Sequence, residues 1–271
     1  MKMTQRFLVI FAAVLVVLSS VGCDKLKARD NLNKGVQAYK NSKFEDAINH
    51  FQQAVALDPT LINARLYLAT AYAQQYIPGA DTPENNKNAE QAIEEYKKVL
   101  EVQPKNINSI KGIAYLYLQM KKFPLAKEYY KKASEADPND PEPYYSVAVI
   151  DWTQTYVPRQ EERAKLGMKP DEALPAKDKK VCAEVKEKNT ANVQEGIDNL
   201  NKALQLRPDY DDAMAYLNLM YRERADIQCD DPAARSADLK TADEWVDKTM
   251  ATKKAKAEKQ PAAGGIVMDK Q

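Results

Sequence analysis

Cys23, Cys182 and Cys229 are the only thiols in this 271-residue chain, and His50 is its only imidazole. Thiols can hold a metal, cycle through redox states or close a disulfide. No two of them stand at Cys-x-x-Cys spacing, which disfavours a redox-active pair. One histidine rules out a multi-histidine metal site. His50 falls on the side of its helix away from Ala47, Phe51 and Ala54, so it reads as a surface residue rather than a general base. Asp81 and Glu84 lie in a Pro/Gly/Asn-rich stretch, but their spacing does not match an EF-hand loop. There is no Gly-rich phosphate loop, no Gly-x-Ser-x-Gly elbow and no His-Glu-x-x-His. Carboxylates on solvated helices carry no acid–base assignment. The chain therefore reads as a non-enzyme with no metal and no cofactor. Lys and Arg number 40 against 39 Asp and Glu, a net charge of +1. That balance argues against nucleic-acid binding driven by phosphate neutralisation.

The elements that would carry these residues are helical. In 107–140, Ile110, Ile113, Ala114 and Tyr117 recur at spacings of three and four and share one face. Leu125, Ala126, Tyr129, Tyr130 and Ala133 do the same in a second helix. Met120-Lys121-Lys122-Phe123 is the turn between them. Asp137-Pro138-Asn139-Asp140 stops the second helix, because proline lacks the amide donor and biases its predecessor away from helix.

The unit recurs. Residues 28–61 carry Gly35, Phe44, Ala47, Phe51, Ala54 and Pro59, and 107–140 carry Ala114, Phe123, Ala126, Tyr130, Ala133 and Pro138 at the same offsets. Residues 62–106 repeat it with Leu68, Ala69, Tyr72, Ala92, Tyr96 and Pro104. Residues 141–210 repeat it with Val147, Ala148, Gly196, Leu200, Ala203 and Pro208. A fifth unit, 211–250, opens with Leu217 and Tyr221. The pattern resembles the tetratricopeptide repeat (TPR) family. The resemblance implies an all-α, right-handed α-solenoid of about five helix pairs over 32–250, with extended turns between first and second helices in repeats 2, 4 and 5. Small residues (Ala47, Ala92, Ala126, Gly196) would let helices cross closely beside the aromatics Phe51, Tyr96 and Tyr130.

The chain ends are of a different kind. Lys2 and Arg6 precede an apolar run from Phe7 to Leu18, too short to span a bilayer comfortably. Ser19-Ser20-Val21-Gly22-Cys23 follows and resembles a bacterial lipoprotein signal, with Ser20 where Leu is commonest. The resemblance implies a signal peptide over 1–22 and an acylated Cys23; an ordinary secretory signal and an uncleaved anchor are the alternatives. Asp24 resembles the inner-membrane retention signal of enteric lipoproteins, and the leaflet stays open. Residues 23–31 read as a polar tether and 251–271 as a Lys/Ala-rich, largely disordered tail.

The insertions suggest where function sits. In repeat 2, QYIPGADTPENNKN reads as a loop. In repeat 4, 156–191 replaces a short turn; Pro158, Pro170 and Pro175 interrupt it, and Arg159–Leu166 and Lys177–Lys188 look helical. In repeat 5, Arg222–Asp231 is a long turn before a helix from near Pro232 through Leu239, Ala242, Trp245 and Val246. In a stacked solenoid these turns share one edge, which brings Cys182 and Cys229 together as a candidate disulfide once Cys23 is spent on lipid; two buried free thiols are the alternative. The resemblance further implies a concave groove for a protein or peptide partner, at Tyr39, Leu66, Thr70, Lys111, Tyr115, Tyr145, Val149, Trp152, Leu219 and Arg222. Trp152 could equally pack under its own insertion. The groove lacks the Lys/Asn pairs that clamp heat-shock chaperone termini. The expected function is a lipid-anchored adaptor in the bacterial cell envelope, its body facing the periplasm. The alternatives are a small-ligand or glycan binder, or an accessory subunit of a cell-wall, pilus or outer-membrane assembly complex.

Overall fold

The computed structural model describes residues 22–169 and 172–259, and every regular element among them is helical. The elements are α1 (22–40), α2 (Phe44–Leu57), α3 (Ile62–Gln75), α4 (Pro83–Val102), α5 (Ile107–Gln119), α6 (Phe123–Ala136), α7 (Glu142–Lys165), α8 (Leu174–Lys177), α9 (Lys179–Leu206), α10 (Asp211–Asp226) and α11 (Pro232–Lys259). The chain forms two compact units that divide between Tyr129 and Tyr130, inside α6. The fold is an α-solenoid of helix pairs.

The sequence sets the helix ends. α2, α4, α6 and α9 each stop two residues before a proline: Pro59, Pro104, Pro138 and Pro208. The residue ahead of each proline is pushed out of the α region, so the helix cannot continue. At the starts, Thr82 accepts from the Asn85 amide at 3.2 Å, Asn106 from the Ser109 amide at 3.0 Å, and Asp178 from the Lys180 and Val181 amides. These caps satisfy donors that the first turn leaves free. The short turns after α1 and α5 hold Ser42 and Lys121 at φ 59° and 56°, at matching places in two repeats.

In the first unit α3 packs on α2 and α4, and α4 on α5. Phe51, Ala47, Ala54, Ala64, Ala69 and Ala92 are all fully buried. The alanines stand at the helix crossings, as expected from their spacing. In the second unit α7 packs on α9, and α10 packs on α9, α11 and α7. Leu200, Leu217, Met220 and Val193 form its centre.

Four expectations are corrected. Residues 23–31 are not a tether: the chain is helical from 22 onward, and Ala28 is fully buried. In repeat 2 only 76–82 is loop, and Pro83 opens α4, where proline's missing amide costs nothing. Asn85 stabilises the arrangement, accepting from the Ile77 amide at 2.7 Å and donating to the Ile77 and Ala80 carbonyls. Pro158 does not interrupt repeat 4: α7 runs through it to Lys165, because α7 beyond the proline is held by packing on α9 and α10. In repeat 5 the turn is only 227–231, and α11 continues through Lys259 into what reads as tail. The expectations for 1–21 and 260–271 fall outside the described residues.

A Cβ on Gly35 would stand 2.5 Å from the Phe51 ring, whose side chain is fully buried. Gly35→Ala gains at most about 1 kcal/mol of helix propensity, and overpacking a rigid aromatic costs about 1–3 kcal/mol. Chemical denaturation will therefore show Gly35→Ala to be net destabilised.

Candidate functional site

The ten candidate groove residues fall into two groups, one in each unit. In the first unit Tyr39 lies edge-on to Phe44 with ring centres 5.3 Å apart. Thr70 donates to the Leu66 carbonyl at 2.9 Å and stands 3.2 Å from the Tyr96 hydroxyl. Lys111 and Tyr115 both lie on α5, and Tyr115 is half exposed. Tyr67, which sequence reasoning passed over, is also half exposed and stacks on Phe51 at 5.6 Å. The 76–82 loop and the 119–122 turn bound an open cleft of about 500 Å³, lined by Tyr76, Asp81, Asn86, Glu90, Gln119 and Lys122.

In the second unit Tyr145 and Trp152 join a continuous, partly buried aromatic cluster that packs against the core. Tyr145 and Trp152 stand two helical turns apart on α7. Tyr216 of α10 meets both edge-on, at 5.5 and 5.6 Å. Trp152 stacks on Tyr156 at 4.6 Å, and Tyr145 leans on Tyr210 at 5.0 Å. Offset and edge-to-face contacts of this kind add about 0.5–1.5 kcal/mol each beyond area burial. Burial pushes the Tyr145 hydroxyl well above the ordinary phenol range. Tyr210 is raised too, by burial and by donating at 2.9 Å to Glu142. The rings are partly buried, and the Trp152 indole N–H has no hydrogen-bond partner among the described residues. Trp152 thus packs between α7 and α10 and is not covered by the insertion alone. Val149 and Leu219 are partly buried. Arg222 pairs with Asp243 at 2.7 Å and bonds Asn218 at 2.8 Å. Tyr156, Tyr210 and Tyr216 escaped the sequence reading; Tyr156, four residues after Trp152, was the visible signal.

Behind this surface lies a buried ionic cluster that no motif announced. Arg159 grips Glu223 with two bonds at 2.7 Å and reaches Asp226 at 2.6 Å. Arg163 meets Asp226 at 3.4 Å and donates to the Lys169 and Glu172 carbonyls at 2.6 and 2.8 Å. Both carboxylates and both guanidinium groups are buried. Burial pushes the Glu223 carboxyl above its usual range, against the lowering pull of Arg159. Nearby, Cys182 and Cys229 are joined in a disulfide that spans 47 residues. The elongated end of repeat 4 is therefore tied to the end of α10 by charge and to the 227–231 turn covalently. In the first unit, His50 stands 3.2 Å from the Asn31 side chain. Cys23 is exposed. Among the described residues no cluster of three or more His, Cys, Asp or Glu side chains could hold a metal, and no helix is long and apolar enough to cross a membrane.

Comparison with known proteins bears on the scaffold. Family models match residues 35–75 as "TPR repeat" and 86–150 as "Tetratricopeptide repeat". No curated protein sequence matches the chain. A crystal structure of MamA protein superposes with a TM-score of 0.58 at 12% identity, covering 88% of this chain and 98% of that one. MamA 41-end from Desulfovibrio magneticus RS-1 gives 0.56 at 17% identity, covering 84% and 96%. YrrB, described as a TPR protein with an unusual peptide-binding site, gives 0.50 at 14% identity, covering 84% and 90%. At such identities the likeness is one of fold alone.

Two outcomes test the tie between repeat 4 and α10. Arg159→Met leaves two buried carboxylates short of a cation and costs about 3–5 kcal/mol. Losing that cation lifts the folded-state pKa of Glu223 further above its unfolded value. The deficit will accordingly shrink when urea melts are run at pH 5 and grow toward pH 8. Reducing the disulfide removes about 4 kcal/mol in the chain-entropy model, which scanning calorimetry will register as a loss of roughly 10 °C.

Proposed function

We propose that this chain, a tetratricopeptide-repeat protein, is a non-enzymatic adaptor that binds a segment of a partner protein and is held at a bacterial envelope membrane through Cys23. The observation that carries the binding half is the aromatic surface of Tyr145, Tyr216, Trp152 and Tyr156 in the second unit. Aromatics supply large contact area at little conformational cost, and they dominate the energetics of interfaces. They lie on α7 and α10, the first helices of their pairs, which is the helix class that repeat proteins of this type turn toward ligands. The same class of fold in YrrB carries a peptide-binding site. The two arginines and two carboxylates behind the rings fix their platform, so a ligand meets a preorganised surface.

The attachment half is supported by the sequence before Cys23 and by the exposed thiol at the start of α1. A disulfide buried in the second unit suits an oxidising compartment outside the cytoplasm. A partner in outer-membrane, pilus or cell-wall assembly would fit this setting. The cleft beside the 76–82 loop favours a second reading, a small polar ligand or glycan held at Tyr76.

The test is a crosslinking pull-down from native membranes, followed by affinity measurement on the captured partner. Trp152→Ala and Tyr216→Ala will each weaken binding, by roughly 30-fold for a loss of about 2 kcal/mol at an aromatic anchor. Circular dichroism melts will separate lost binding from lost folding. If both variants are folded and capture the same partners at wild-type affinity, the aromatic surface is not the site. If the wild type captures nothing and instead gains thermal stability from a glycan, the second reading replaces the first.

A further inference from the structure

α1 is amphipathic about its own axis. Ala28, Leu32, Gly35 and Tyr39 recur at i, i+4, i+7 and i+11, and this stripe faces the fold. Ala28 is fully buried, Gly35 receives the Phe51 ring, and Tyr39 touches Phe44. The opposite stripe carries Cys23, Leu26, Lys27, Asp30 and Lys34, all of them exposed. Leu26 is 71% exposed, the highest value among the large apolar side chains of the described residues. It sits one turn after Cys23 on the same face. Lys27 stands beside it. Asp30, the acidic residue on that stripe, pairs with Lys34 at 2.7 Å. Lys25 and Arg29 flank the stripe on the side of Asp58, whose carboxyl they help to hold low, after the stronger effect of its bond from Thr60.

The helix runs unbroken from 22 through 40, so no flexible tether separates position 23 from the first repeat. A chain fixed to a bilayer at or just before Cys23 therefore brings Leu26 and Lys27 to headgroup level within a single helical turn, about 5 Å. An apolar side chain beside cations is the arrangement of helices that rest in the interface between water and acyl chains.

We propose that the first two turns of α1 form a contact surface for an anionic phospholipid bilayer, with Leu26 at the boundary between headgroups and acyl chains and with Lys27 on lipid phosphate. This rests on the membrane attachment proposed above and deepens it. The body does not swing on a leash; its first helix lies against the surface, and the orientation of its repeats is set by that contact. The contact serves whether the attachment is an acylated Cys23 or a retained apolar run.

The test uses the full-length protein reconstituted into vesicles, with Leu26→Trp as a reporter and the wild type, which holds Trp152 and Trp245, as the reference. In phosphatidylglycerol vesicles the emission added by Leu26→Trp will be blue-shifted, and brominated acyl chains will quench it. In phosphatidylcholine vesicles the quenching will be weaker, and adding Lys27→Glu will weaken it in phosphatidylglycerol. Mass spectrometry of the reconstituted protein reads the acylation of Cys23 separately. An added emission that stays at the aqueous maximum, unquenched in vesicles to which the protein is attached, overturns the contact and leaves the anchor standing. Equal quenching in the two vesicle types overturns the electrostatic part. A protein that neither carries acyl chains nor floats with vesicles overturns the attachment and the contact together.

Discussion

A short helix pair of this kind carries an apolar stripe on two sides and cannot bury both by itself. Everything else in the structure answers to that constraint. The pair must be flanked, and the flanking helices must approach closely enough to exclude water. Alanine at the crossings permits the approach: Ala47, Ala54, Ala69, Ala92 and Ala203 are all fully buried. Phe51, Tyr96 and Leu200 then fill the space that the small residues leave. Where even alanine is too large, glycine stands. Gly112 leaves room for the Tyr96 ring, which would lie 2.7 Å from a Cβ there. Gly196 makes the same provision for Met220 and Asp151.

The second unit departs from the simple repeat, and a different interaction carries the departure. α7 and α9 extend beyond the length that apolar stacking alone requires. The extra turns carry polar side chains inward, where Arg159 pairs with Glu223 and Asp226 and Arg163 with Asp226. Burying four charges costs several kcal/mol per ion unless geometry and hydrogen bonds compensate. Here Arg159 makes three bonds to carboxylates, and Arg163 adds two to backbone carbonyls. A slip of α7 against α10 would strand these charges in the interior, which is costly. The aromatic rings of α7 and α10 lie on the elements that this cluster registers.

The repeat class was legible in the sequence because it rests on local periodicity. Ile110, Ile113, Ala114 and Tyr117 share a face wherever the helix is placed, and the prolines after α2, α4, α6 and α9 mark ends without reference to anything distant. The disulfide was legible for a related reason, since equivalent turns of adjacent repeats fall on one edge. The lengths of the inserted helices were not legible. Pro158 carries a strong local signal to stop, and what overrides it are the partners of the next residue, Arg159, which lie 64 and 67 positions away from it, Glu223 and Asp226. The run from Pro83 to Asn88 reads as loop by composition, yet Thr82, Pro83 and Asn85 together start a helix. In the candidate site, Tyr145 and Trp152 follow from repeat position alone. Tyr216 and Tyr210 do not, because their roles depend on how α10 meets α7.

The bond between Cys182 and Cys229 also orders events in time. Its second half lies just after α10, so it cannot close until the chain has been made through Cys229. A product stalled or cut within α10 lacks Cys229 and so keeps Cys182 as a thiol. Finished and unfinished molecules thus differ in a reactive group as well as in shape.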